Sequence, residues 1–126
     1  MKKIVNTNKA PAAIGPYSQA IIAGNLLFTS GQIPVDPVTG SIEGSTIDLQ
    51  TGRVMNNLIA ILNEAGLTLD NVIKTTVFIN DMNSFGMMNE IYMSYFSENN
   101  FPARSCVEVS RLPKDVLVEI EAIAQF

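Results

Sequence analysis

An α+β fold, with two helices on one face of a sheet, is predicted by three features of this 126-residue chain. Two strand-like runs flank a Gly-Asn pair, two segments carry apolar residues at helical spacing, and the chain closes on two strand-like runs, the last alternating cleanly. The length fits one domain over residues 1–126, since domains usually hold about 100–150 residues.

Gly15-Pro16 ends a polar lead-in, and Ser18–Ala23 and Leu26–Gly31 follow as strands. Gly24-Asn25 between them is a favoured two-residue hairpin connection. Pro34, Pro37 and Gly40 then break the chain into a loop. From Thr46 to Ala65 the apolar positions Ile47, Val54, Leu58, Ile61 and Leu62 recur at helical intervals, and Gly66 supplies the stop. Gly52 is a weak helix former, which leaves the first turns of this helix the least supported.

Val72–Ile79 is rich in β-branched residues and reads as a strand returning beside an earlier one. A second helix is predicted from Ser84 to Ser97, with Phe85, Met88, Tyr92, Tyr95 and Phe96 as its packing stripe. Such a stripe is core rather than a ligand box. The last strands are Arg104–Ser110 and Val116–Ala124, joined by Arg111–Asp115.

Side chains alternate across a strand, so Val116, Val118, Ile120, Ala122 and Ala124 share the face that meets the helices. Leu117, Glu119, Glu121 and Ile123 share the other. Carboxylates mixed with apolar groups suit a subunit interface better than a plain solvent face. In the preceding strand Arg104, Cys106, Glu108 and Ser110 lie on one side, opposite Ser105, Val107 and Val109.

Composition excludes several function classes. Charged residues make up only 16% of the chain, below the roughly 25% of ordinary domains, which hints at buried subunit surface. The net charge is −4 and no basic run exceeds Lys2-Lys3, so nucleic acid is an unfavoured partner. Histidine is absent and Cys106 is the only cysteine, which removes the usual zinc sets, Ser-His-Asp and Cys-His catalysis, and any intramolecular disulfide. No metal site is therefore expected. The N-terminus lacks a secretory apolar core and no stretch approaches a membrane span, so a cytoplasmic protein with no membrane partner is expected.

Few side chains remain for chemistry. Arg53 reads as a solvated charge, and Arg111 as a structural ion-pair or carbonyl-binding residue. Arg104 follows the stiff Phe101-Pro102-Ala103 approach; it is either a structural salt bridge or a fork that clamps a carboxylate through two parallel hydrogen bonds. Glu119 lies in an apolar strand, as an interface ion-pair partner or as a base that orients water. Cys106 has no histidine to activate it, so packing or a backbone role is the simpler account. Tyr17 and Ser30 stand at turn and strand-end positions, where pockets are built. Gly31 offers bare backbone to a ligand, and the chain has neither a GxxxxGK[ST] nor a GxGxxG phosphate loop.

Several stretches together resemble the RidA (YjgF) family of small reactive-intermediate deaminases. They are Ala10–Ala20, Phe28–Pro34, Lys74–Phe78, and Phe101–Val109 with Arg111–Asp115 and Glu119–Ala122. The similarity covers essentially the whole chain, and Pro102-Ala103-Arg104-Ser105 is its most specific block. The resemblance implies a chorismate-mutase-like mixed sheet backed by two helices, in a homotrimer whose sheets meet around a central barrel. It places three sites in the clefts between subunits.

It also implies cofactor-free hydrolysis of enamines and imines, chiefly 2-aminoacrylate/2-iminopropanoate and 2-iminobutanoate, to 2-keto acids and ammonia. Arg104 then holds the substrate carboxylate with backbone help near Gly31 and Cys106. Glu119 positions or deprotonates the attacking water, Tyr17 and Ser30 complete the pocket, and Asn89 contributes. Two alternatives stay open: an endoribonuclease or translation inhibitor, and a ligand-sensing regulatory or chaperone-like trimer.

Overall fold

The computed structural model describes residues 1–126. Six strands form one sheet in the order β1-β2-β3-β6-β4-β5, where β1 is Lys3–Val5, β2 Ala20–Ala23, β3 Leu26–Thr29, β4 Val72–Ile79, β5 Ala103–Glu108 and β6 Val118–Gln125. Helices α1 (Ile47–Glu64) and α2 (Phe85–Ser94) cover one face of it, the α+β layering expected from the sequence. Only β4 and β5 run parallel; every other pairing is antiparallel.

The β2–β3 hairpin turns at Gly24-Asn25, with Gly24 at φ 61°, a conformation that glycine adopts without a Cβ penalty. Helix α1 runs through Gly52 unbroken, and the Tyr95 hydroxyl donates to the Gly52 carbonyl at 3.3 Å, tying α1 to the end of α2. It ends in a Schellman motif: Leu67 N–H donates to Leu62 O at 2.9 Å and Gly66 N–H to Asn63 O at 3.0 Å, with Gly66 at φ 79°.

Three expectations need correction. Strand β4 does not return beside an earlier strand; it lies between β6 and β5, because the antiparallel β6 joins it to the first hairpin. The second helix is shorter than predicted, since Met82–Ser84 forms a separate 3₁₀ turn and α2 stops at Ser94. A short strand at Lys3–Val5 also pairs with β2, in a segment too polar to show alternation.

The core holds Val118, Ile120, Ala122 and Ala124 of β6, with Val77 and Ile79 of β4 and Val54, Leu58, Ile61 and Leu62 of α1. Val116 is buried as predicted, although it precedes the strand proper. Leu27, Met88 and Tyr92 belong to the same cluster. Phe28, Phe78, Val107 and Ile123 lie on the opposite face with Glu119 and Glu121, which leaves that face part apolar and part acidic.

Candidate active site

Arg104 stands on the helix-covered face. Its register partner Thr75 is buried there and shares a 2.7 Å hydrogen bond with the Tyr92 hydroxyl of α2. The Arg104 guanidinium donates to Asn89 Oδ1 at 2.6 Å and lies over two rings, 4.9 Å from the Tyr92 centroid and 5.3 Å from that of Phe85. Phe85, Asn89 and Tyr92 share one side of α2 through their spacing of four and three residues. Together they hold the fork by stacking and by one hydrogen bond, and leave its other donors free.

Arg104 has no carboxylate partner. The chain's one ion pair joins Arg111 Nε to Asp115 Oδ1 at 2.8 Å, which bears out the structural role for Arg111 and removes the intrachain salt bridge left open for Arg104. Cys106 lies two residues along β5 on the same side. Burial pushes its thiol upward from the ordinary range, with Arg104 pulling the other way, so the thiol is protonated at neutral pH.

Glu119 stands on the other face of the sheet, in register with Phe78. Burial pushes its carboxyl above the ordinary range and the nearby Glu121 adds to the shift. Glu119 also lacks a cation within the chain. A cavity of about 620 Å³ opens beside it, lined by Tyr17, Ser30, Gly31 and, at the rim, Ile14 and Lys114.

Local folding explains that wall. Gln32 exchanges two backbone hydrogen bonds with Ile120, 2.8 and 3.1 Å, which extends the strand pairing past Thr29 and sets Gly31 against Glu119. A Cβ on Gly31 would lie 2.7 Å from Glu119 Oε2, so glycine here leaves room for the carboxylate where it stands rather than serving a special φ. Behind it, Asn57 of α1 donates to Ile33 O and Val35 O, at 3.2 and 3.0 Å. Gln19, almost fully buried, binds the 7–11 segment from both ends of its amide: Thr7 N–H donates to it at 2.7 Å, and it donates to Pro11 O at 2.8 Å. The chain leading to Tyr17 is thereby tethered, while Tyr17 itself stays exposed.

The predicted residues thus form two groups. Arg104, Cys106 and Asn89 gather on the helix side at the β5 edge; Glu119, Tyr17, Ser30 and Gly31 gather around the cavity on the far face. The sequence did not mark Phe85 and Tyr92 as partners of Arg104, because their stripe is equally that of a core helix; their spacing with Asn89 was the available signal. Lys114, at φ 54°, carried no signal of its own. Arg53, expected as a solvated charge, is partly exposed beside a cavity lined by α1 and α2, with its Nε buried and without a partner. No group of three His, Cys, Asp or Glu side chains is placed to hold a metal ion.

One small α+β domain thus carries a ring-stacked arginine without an ionic partner and, on the other sheet face, a half-buried carboxylate that is likewise unpaired. Residues 7–126 match the family described as Endoribonuclease L-PSP, and the chain belongs to that family, the one otherwise known as RidA or YjgF. It is 60% identical over 124 residues to a RutC family protein of Pyrococcus horikoshii, covering 98% of each chain. It is 52% identical over 126 residues to the 2-iminobutanoate/2-iminopropanoate deaminase of Escherichia coli, again covering 98% of each. Among solved structures, Escherichia coli TdcF with bound serine superposes with a TM-score of 0.94 at 50% identity, over 98% of both chains. The Escherichia coli YjgF gene product gives 0.93 at 50% identity with the same coverage. No helix is long and apolar enough to cross a membrane.

Proposed function

We propose that this protein hydrolyses small 2-imino acids, 2-iminopropanoate and 2-iminobutanoate among them, to 2-keto acids and ammonia without a cofactor. The observation that carries this is Arg104: a guanidinium oriented by Asn89, Tyr92 and Phe85 with no carboxylate in its own chain is built to receive one from a ligand. The relatives named as 2-iminobutanoate/2-iminopropanoate deaminases support the substrate class.

Arg104 and Glu119 lie on opposite faces, so one chain does not bring clamp and base together. A site between two copies does, with Arg104, Asn89 and the Cys106 backbone from one and Glu119, Tyr17, Ser30 and Gly31 from the next. A homotrimer closed by the part-apolar face of Phe28, Phe78, Val107 and Ile123 supplies three such clefts. The exposure of Phe28 and Val107, 40% and 43%, supports burial of that face in an assembly.

The chemistry asks little of the protein. A protonated imine carbon is already electrophilic, so water needs orientation more than activation. Ionised Glu119 takes a proton as water's oxygen bonds to that carbon and passes it to the nitrogen of the resulting carbinolamine; the C–N bond then breaks to release ammonia while Glu119 takes the hydroxyl proton and the keto carbonyl forms. The Gly31 N–H, which takes no partner within the chain, is free to help Arg104 hold the carboxylate.

Keto-acid release from 2-iminopropanoate and 2-iminobutanoate generated in situ tests this, with Arg104→Ala of verified fold as control. Acceleration by wild type alone supports it, and release no faster than in buffer would overturn it. The family's description favours RNA cleavage as a second reading. A net charge of −4 and the absence of histidine weigh against it; RNA cleavage by pure protein that Arg104→Ala abolishes would establish it.

A further inference from the structure

A second cavity, of about 400 Å³, lies between α1 and α2 and shares no lining residue with the one beside Glu119. Arg53 of α1 lines it, with its Nε–H buried and without an acceptor anywhere in the chain. A buried donor left unpaired costs free energy, so this edge of the guanidinium favours a partner from outside the chain. Asp48, nearer the start of α1, and Glu43, in the loop before it, line the same cavity. Neither forms an ion pair with Arg53, since the chain's one ion pair is Arg111–Asp115. The cavity therefore holds both signs of charge without their neutralising each other. Its two hydroxyls have spent their hydrogens within the protein: Ser94 donates to Ile91 O at 2.6 Å and Tyr95 to Gly52 O at 3.3 Å. That leaves Arg53 as the cationic donor for an anionic group, while Leu49 and Ile91 add apolar surface.

We infer that this groove binds a free amino acid with an apolar side chain, its carboxylate on the Nε edge of Arg53, its ammonium at Asp48 and Glu43, and its side chain against Leu49 and Ile91. A guanidinium presents Nε–H and one Nη–H in parallel, which match the two oxygens of a carboxylate. The two acidic side chains are acceptors only, which suits an ammonium with three donors. A ligand carrying one charge satisfies one half of the groove and leaves the other half unpaired. The volume falls within the roughly 300–1,000 Å³ of small-molecule sites. Arg104 and Glu119 take no part, so the inference does not rest on the imino-acid reading.

Titration of the nitrogen-15-labelled wild-type protein with L-leucine, followed by amide NMR shifts, tests this, because the two cavities report through different amides. The amides of Gly52, Ser94 and Tyr95 should shift and saturate together, whatever happens at Gly31 and Cys106. 4-Methylpentanoate, which lacks the amine, and 3-methylbutylamine, which lacks the carboxylate, should each bind at these amides about tenfold more weakly or worse. Arg53→Gln and Asp48→Asn, each with a wild-type melting temperature, should each weaken leucine about tenfold. Should Arg53→Gln not fold, Asp48→Asn and the two analogues decide. Leucine shifts that are absent, that never saturate, or that are confined to Gly31 and Cys106 would overturn the inference. So would an analogue that binds as tightly as leucine, or a folded variant that keeps wild-type affinity.

Discussion

Arg104 and Glu119 stand on opposite faces of one sheet, on β5 and β6, with β4 between them. Arg104 pairs in register with Thr75, which hydrogen-bonds to α2, whereas Glu119 pairs with Phe78 on the uncovered side. Neither has an ionic partner within the chain. A reaction that needs both therefore needs two copies, and the predictions below separate the two halves.

On the arginine side, Arg104→Lys keeps the charge and loses the planar fork. KM for a 2-imino acid should rise about tenfold or more, while the melting temperature moves by no more than about 4 °C. Steady-state kinetics with thermal melts checks both, and wild-type KM in the variant would sink the clamp.

Gly31→Ala probes the other half without touching a charged group. The new Cβ would sit 2.7 Å from Glu119 Oε2 and 2.8 Å from its Cδ, both on a side chain that can swing aside. The carboxylate should move, with kcat falling about a hundredfold and stability little changed. Full kcat would mean that the position of Glu119 does not matter.

Glu119→Gln should lower kcat about a hundredfold with substrate affinity largely kept. Because burial raises the Glu119 carboxyl, wild-type kcat should climb with pH through an apparent value above the ordinary carboxylate range, and the variant should lose that limb. Stability runs the other way. The folded chain holds this proton to higher pH than the unfolded chain does, so the contribution is full below the unfolded value and is lost as pH rises through the raised folded one. Melting temperatures of wild type and variant should accordingly diverge in the variant's favour as pH rises from the ordinary carboxylate range; the opposite divergence would contradict the raised value.

Cys106→Ser should keep most activity, since the sulfur is raised by burial and only the backbone is assigned a role. The wild-type thiol should also react slowly with iodoacetamide at neutral pH. Loss of activity in the serine variant would give the sulfur a part it does not have here.

Much of this was legible in the sequence, and the remainder has physical causes. Strict alternation in Val118–Ala124 gave the two faces of β6 correctly, because one face must meet the helices. The Gly24-Asn25 hairpin and the Gly66 stop followed from backbone conformations that few residues adopt. The place of β4 between β6 and β5 was not legible, since strand order depends on long-range pairing that no local pattern encodes. The same limit hid the opposition of Arg104 and Glu119: each residue's own face could be read from its strand, but not how the strands face one another. Tyr92 and Phe85 looked like core because they are core on one side and platform for Arg104 on the other.

Subunit complementation tests the central claim most directly. Arg104→Ala and Glu119→Ala chains, each purified alone, should release keto acid from 2-iminobutanoate no faster than buffer. After co-refolding, with mixed oligomers verified by native mass spectrometry, activity should return, because some clefts then pair an intact Arg104 with an intact Glu119 from different copies. Verified mixed oligomers that stay inactive would contradict a site built from the two faces of neighbouring chains.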